Sequence, residues 1–175
     1  AEILAGMNPT VIISSDLGRA RATAQALADL VGLPVTTHEN LRETNGGLWE
    51  GKTGKENRAE DFQNFIRWID GDDNPAGTTG EKRSEVAARA VGVIMKELEG
   101  KTDQLLVVAT HGGTARCVLG ELLQLPLSHW GVIGGLSNAS WSILERNTRQ
   151  WNLIEHNAGS IPEPVYGEES GATSA

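Results

Sequence analysis

The chain has 175 residues, 15 Lys and Arg against 23 Asp and Glu, a formal net charge of −8 and 39% hydrophobic residues. That length suits one domain with a sizeable core, and an acidic balance without any basic run argues against general affinity for nucleic acid or an anionic membrane, so a bound anion must be held by a local cluster. No apolar segment approaches a membrane span and no signal peptide is read at the start, while the single cysteine, Cys117, excludes an intrachain disulfide and fits a reducing, cytoplasmic compartment.

In chain order, Ala1 to Gly6 reads as the last turns of a helix with Gly6 as its C-cap. Thr10 to Ile13 is a β-branched strand, Ser14-Ser15-Asp16 supplies side chains able to cap a helix, and Ala20, Ala24, Leu27, Ala28 and Val31 form that helix's apolar stripe. Arg19 and Arg21 fall in its first turn, where a cation opposes the helix dipole; each is either solvated or partnered by an anion. Val35 to Thr37 reads as a second strand. The loop Leu41-Arg42-Glu43-Thr44 with Asn45-Gly46-Gly47-Leu48-Trp49-Glu50-Gly51 carries charges and an indole on glycine-rich backbone. Glu43 is a general acid/base if the fold brings it beside His111, and otherwise an ion-pair partner of Arg42.

Lys55 to Ile69 reads as one amphipathic helix of a cap or insertion, and Asp70 to Thr79 as an exposed, mobile loop. Glu85 to Leu98 is a helix with Ala87, Ala90, Val91, Ile94 and Leu98 inward. It feeds the apolar run from Leu105, which reads as a strand buried on both faces of a parallel sheet and stops at Thr110-His111-Gly112-Gly113. A helix begins within a residue or two of those glycines, so His111 lies at the carboxyl end of a strand beside a helix amino terminus. That is where ligands bind in open α/β sheets and where free N–H groups suit an anion; the alternative is a turn with a satisfied histidine. Cys117 falls inside this helix as core packing. Ser140 to Leu144 and Gln150 to Glu155 read as a hairpin closing one edge of the sheet, and Asn157 to Ala175 as disordered or loosely packed. The order of elements predicts a layered α/β domain with helices on both faces.

Four stretches together carry a resemblance: Ser14-Ser15-Asp16-Leu17-Gly18-Arg19-Ala20-Arg21, Leu41-Arg42-Glu43 with Gly47-Leu48-Trp49-Glu50-Gly51, Gly80-Glu81 leading to Arg89, and Thr110-His111-Gly112-Gly113. In this order they resemble the histidine phosphatase superfamily, with its phosphoglycerate mutase-like fold. The resemblance implies a three-layer α/β/α domain with a mostly parallel central sheet over residues 1–157, a cap or insertion at 55–80 and a flexible tail at 158–175. It also implies phosphoryl transfer through a phosphohistidine, without metal or other cofactor. Arg19 matches a clamping arginine, His111 with Gly112 matches the groups that hold phosphoryl oxygens, and Glu43 matches the acid/base. The family's nucleophile sits in an Arg-His-Gly motif that occurs nowhere in the chain; His38, His129 and His156 stand in other contexts, and Lys82 replaces a small hydroxyl residue. The expectation is therefore a portion of a longer phosphatase, lacking the family's first strand and inactive by itself.

The expected substrate is a small phosphorylated metabolite. The stretch Gly134 to Trp141 resembles a small member of the superfamily acting on a sugar-linked phosphoglycerate, and Trp68 of the cap is a candidate to line its pocket. A mutase and a non-catalytic phospholigand-binding protein remain as alternatives, the short insertion between Glu43 and His111 favouring hydrolysis. By analogy with the family, a homodimer is the assembly implied.

Overall fold

The structure, a computed structural model, describes residues 1–159. Its elements run α1 (Glu2–Ala5), β1 (Val11–Ser15), α2 (Gly18–Val31), β2 (Val35–His38), α3 (Gly54–Glu60), α4 (Phe62–Ile69), α5 (Arg83–Leu98), β3 (Leu106–Ala109), α6 (Gly112–Leu122), β4 (Trp141–Arg146) and β5 (Trp151–Ala158). Three strands form a parallel sheet in the order β2-β1-β3, and β4 pairs antiparallel with β5 in a second sheet.

Strand β1 is the centre of the molecule. Successive side chains of a strand point to opposite faces, so Ile12 packs on Ala24, Leu27 and Ala28 of α2, while Ile13 packs on Ala90, Val93 and Ile94 of α5 and Val118 and Leu122 of α6. This is the expected three-layer α/β/α arrangement. The most deeply buried strand is β1, from Ile12 to Ser15; β3, at the edge of the three-stranded sheet, is covered on both faces as expected, Leu106 and Val108 on one cluster and Val107 and Ala109 on the other, but only half-buried along its length. The hairpin forms as expected but belongs to its own sheet, docking Leu144 and Trp151 against the α5–α6 side of the core. Strand β5 extends to Ala158, past the start of the tail expected at 158–175, the rest of which lies outside the described residues apart from Gly159.

The amphipathic segment from Lys55 is two helices. Thr53 opens α3 with a reciprocal capping box to Glu56, and at Asp61 the backbone leaves helical geometry (φ −135°) while the Asp61 carboxylate accepts from Trp49 Nε1 and Asn64 Nδ2, both at 3.1 Å. A side chain that bonds its surroundings so well competes with helix continuation. The stretch from Asp70 to Thr79 is partly buried, with Asn74 and Ala76 inside, because Gly77 and Gly80 lie backbone to backbone against residues 45–49. Trp68 is likewise buried, its face covered by the Arg83 guanidinium at 4.3 Å and its edge against Trp49; the ring is taken up in packing and offers no free face to a sugar. Cys117 packs with Val86, Ala87 and Trp130, as expected. Among the described residues, no helix is long and apolar enough to cross a membrane.

Two helical glycines separate packing from propensity. A methyl at Gly120 would run into the buried Trp130 indole, whereas at Gly92 it would meet open space. Gly120→Ala is expected to destabilise by about 1–3 kcal/mol through overpacking and Gly92→Ala to stabilise by about 0.5–1 kcal/mol through helix propensity, both read as shifts of the urea midpoint at constant slope.

Candidate active site

Parallel pairing sets the site. Ser14 lies opposite Ala109 in the β1–β3 register, so both strands end together and release Ser15 and His111 side by side. His111 is the N-cap of α6 and is 8% exposed; its Nε2 lies 2.9 Å from the Oγ of fully buried Ser15. Ser15 Oγ also accepts the Leu17 N–H at 3.3 Å. The serine hydrogen has no other acceptor among the described residues, so it goes to Nε2, which places the ring proton on Nδ1. Burial pushes the His111 imidazole below its ordinary range; the Glu43 carboxylate opposes this, and the Arg19 and Arg89 charges reinforce it. The ring is thus neutral near pH 7, with Nδ1–H as its available donor.

Glu43 does not pair with Arg42. The Arg42 guanidinium instead bonds Asp16, with Nε to Oδ1 at 2.8 Å, and this hydrogen bond together with the arginine's charge holds the Asp16 carboxyl below the usual range. The Glu43 carboxylate lies across the start of α6. Its Oε1 accepts the N–H groups of Thr44 (2.8 Å) and Thr114 (3.0 Å), and its Oε2 accepts that of Gly113 (3.1 Å). A Cβ at Gly113 would strike Oε1, so the glycine is what lets the carboxylate reach the helix. Two of the amides that the sequence suggested for a bound anion are therefore occupied by the protein's own carboxylate. Gly112, exposed in the same turn, keeps its N–H without an acceptor among the described residues.

Arg19 occupies the first turn of α2, is exposed, and makes no side-chain hydrogen bond or ion pair with a described residue, while its charge bears on His111. The turn is capped by no side chain of its own N-cap residue, Leu17; Ser15, two residues before it, takes the Leu17 amide instead. The arrangement brings His111, Glu43 and the Gly112 amide to one end of the sheet, with Arg19 beside them. A neutral N–H donor, a backbone N–H, an unpaired cation and a carboxylate thus share that end of the sheet, groups of the kinds that can hold an oxyanion and move a proton. Among the described residues no three His, Cys, Asp or Glu side chains converge as metal ligands.

Sequence reading missed Ser15 as the partner of His111 and Thr114 as the brace of the loop. Thr114 is fully buried, and its hydroxyl donates to the Arg42 carbonyl oxygen at 2.7 Å. A hydroxyl at the carboxyl end of a buried strand, level with a histidine just past the neighbouring strand, is the signal that would have found Ser15.

The profile of the Histidine phosphatase superfamily (branch 1) matches residues 1–159. Glucosyl-3-phosphoglycerate phosphatase of Mycolicibacterium vanbaalenii is 39% identical over 156 residues, spanning 85% of this chain and 69% of that protein. "Probable phosphoglycerate mutase GpmB" of Yersinia pestis is 32% identical over 142 residues, spanning 81% of this chain and 66% of that protein. A solved mycobacterial glucosyl-3-phosphoglycerate phosphatase in complex with inorganic phosphate superimposes with a TM-score of 0.81 at 34% identity, covering 90% of this chain and 81% of that one.

The depressed His111 pKa has a sign that can be measured. Just below about pH 6.5 the unfolded imidazole takes up a proton that the folded one refuses, so stability falls as pH falls through that window. In urea titrations between pH 7.5 and 5.5, run on the protein and on His111→Gln, the substitution is expected to flatten this dependence; an unchanged slope would place the imidazole outside the buried network.

Proposed function

Because the chain belongs to the histidine phosphatase superfamily, branch 1, we propose that it is a phosphatase removing phosphate from a small phosphorylated metabolite, with a sugar-linked phosphoglycerate as the favoured substrate, through a phosphohistidine. The observation that carries this reading is the Glu43 carboxylate fixed on the start of α6 beside His111 and the Gly112 amide. A general acid serves only if it is held within hydrogen-bond reach of the leaving oxygen.

In the first step the bond from phosphorus to the leaving oxygen breaks as a nitrogen–phosphorus bond forms on the nucleophilic histidine, and Glu43 gives its proton to that oxygen. In the second, Glu43 takes a proton from water, whose oxygen bonds phosphorus as the nitrogen–phosphorus bond breaks. Glu43 Oε1 already accepts two amides and Oε2 one, so Oε2 is the oxygen better placed to exchange the proton. Arg19, His111 Nδ1–H and Gly112 N–H hold the non-reacting oxygens, on which negative charge is concentrated during an in-line transfer. The scheme needs no metal. Its nucleophile is the histidine of the family's Arg-His-Gly motif, which none of the 175 residues forms; on this reading the chain by itself turns over no phosphate ester.

The names of the relatives support the substrate class: one of them acts on glucosyl-3-phosphoglycerate. The test is release of inorganic phosphate from glucosyl-3-phosphoglycerate and from 3-phosphoglycerate by the full-length gene product, with the 175-residue chain assayed beside it. Release by the full-length product alone, faster from the glucosylated ester, is expected, and Glu43→Gln should lower kcat by about 10²–10⁴. Turnover by the 175 residues alone, or parent-like rates in Glu43→Gln, would sink the assignment. Movement of phosphate between hydroxyls without release would establish a mutase.

A further inference from the structure

Arg89 belongs to the inward-facing stretch of α5, between buried Ala87 and Ala90, and its side chain is only 18% exposed. An arginine in such a place ordinarily runs its stem along the core and lifts its head to water. This one turns its head into the protein. Its Nη1 donates to the carbonyl oxygens of Asn40 (2.7 Å) and Arg42 (2.9 Å), and its Nη2 to that of Glu43 (3.2 Å). On the other side of the fork, Nε and Nη2 form a bidentate pair with the two oxygens of Glu81, at 2.7 and 2.9 Å. Glu81 in turn accepts the Asn45 N–H at 2.8 Å, and its own backbone N–H donates to the Asn45 carbonyl at 2.9 Å.

Every carbonyl from Asn40 to Glu43 therefore has a side-chain donor, since the Thr110 hydroxyl takes the Leu41 oxygen at 2.8 Å. The backbone on the far side of Glu43 is held by Glu81. Burial alone would push the Glu81 carboxyl up, but the Arg89 hydrogen bonds, the Asn45 amide and the Arg89 charge together bring it below the ordinary range. A planar fork with five fixed donors is the side chain suited to three carbonyls and one carboxylate at once; a lysine offers the same charge from a single point.

We propose that Arg89, oriented by Glu81, is a positioning residue for Glu43: it fixes the loop backbone so that the Glu43 carboxylate stays on the first turn of α6 at the place where a leaving oxygen arrives. The inference rests on the acid/base reading of Glu43 given above. It separates from two simpler roles. A charge acting on His111 is kept by Arg89→Lys, and a general contribution to stability lowers turnover of every substrate alike.

The test compares kcat/KM of the full-length gene product and its Arg89→Lys variant on p-nitrophenyl phosphate, whose leaving oxygen needs little protonation, and on glucosyl-3-phosphoglycerate, whose alkyl oxygen needs a full proton. The amide NMR signals of Gly113 and Thr114, which donate to Glu43, are followed in the same proteins. The lysine variant is expected to lose about 10² on the alkyl ester and less than about tenfold on the aryl ester, because misplacing a general acid costs most where protonation matters most. The two amide signals should shift. Parallel losses on both esters, or unmoved amides in a folded variant, would overturn the proposal. If Arg89→Lys does not fold, Glu81→Gln carries the test, with the same pattern expected at smaller size and the same two results overturning it. A parent that hydrolyses neither ester removes the acid/base reading of Glu43, while the amide signals still decide whether Arg89 holds that carboxylate.

Discussion

The Glu43 carboxylate takes the Gly113 and Thr114 amides at the start of α6, two of the unpaired donors that every helix presents at its amino terminus. A negative side chain there is favoured by the helix dipole as well as by the hydrogen bonds. The consequence reaches beyond the helix. Glu43 arrives from a loop after β2, so its seat on α6 joins a segment that no strand pairing holds to the end of the parallel sheet. It also leaves Gly112 as the open amide in that turn. Gly113 is needed for the approach, because a methyl group there would occupy the space of Oε1.

The same loop is tied to α3 and α4. Gly47 and Gly77 both have positive φ (56° and 51°), and each lies so close to the opposing backbone that a Cβ would collide with it. Leu48 N–H reaches the Gly77 carbonyl at 3.2 Å across that seam. Beyond it Trp49 meets Phe65 and Trp68 edge-on, with centroids 5.6 and 5.9 Å away, and its indole N–H bonds Asp61. The helices α3 and α4 are thus braced on the segment that carries Glu43, through glycines whose close approach leaves no room for a side chain.

What the sequence made legible was local. The two strand–turn–helix units, the α5 stripe and the hairpin follow from periodicity, and their boundaries hold to within a few residues because glycines and turn residues punctuate them. His111, Glu43 and Arg19 stood out from the order of motifs. Partners distant in sequence were not legible. Nothing around Glu43 announces Gly113 and Thr114 some seventy residues later, and Arg42 looked the natural partner only because it is adjacent. Trp68 misled for the same reason: an indole in a polar insertion looks available until the fold lays Arg83 on its face. The helix break at Asp61 was hidden by an unbroken apolar stripe, since amphipathic spacing does not record where a carboxylate leaves the helix to bond Trp49. Apolar content gave the two covered faces of β3 but not its depth: four aliphatic residues suit an inner strand, and whether a strand is inner or at an edge depends on sheet order.

Charge at the site is scarcer than its arginines suggest. Asp16 offsets Arg42 and Glu81 offsets Arg89, so neither brings an uncompensated charge to a ligand. Burial leaves His111 neutral, a donor through Nδ1 with no formal charge. That leaves Arg19, set against the negative charge of Glu43 when ionised, in a chain whose overall charge is −8. Under the proposed function a phosphate monoester dianion would meet Arg19 and two neutral N–H donors. Dipoles then carry much of the recognition, and they are strong where water is excluded and weak where it is not. The family's Arg-His-Gly motif would supply a second arginine with the nucleophile. On this account the motif brings both the attacking atom and the charge that balances the dianion, so a form that carries it should bind phosphate more tightly as well as turn it over.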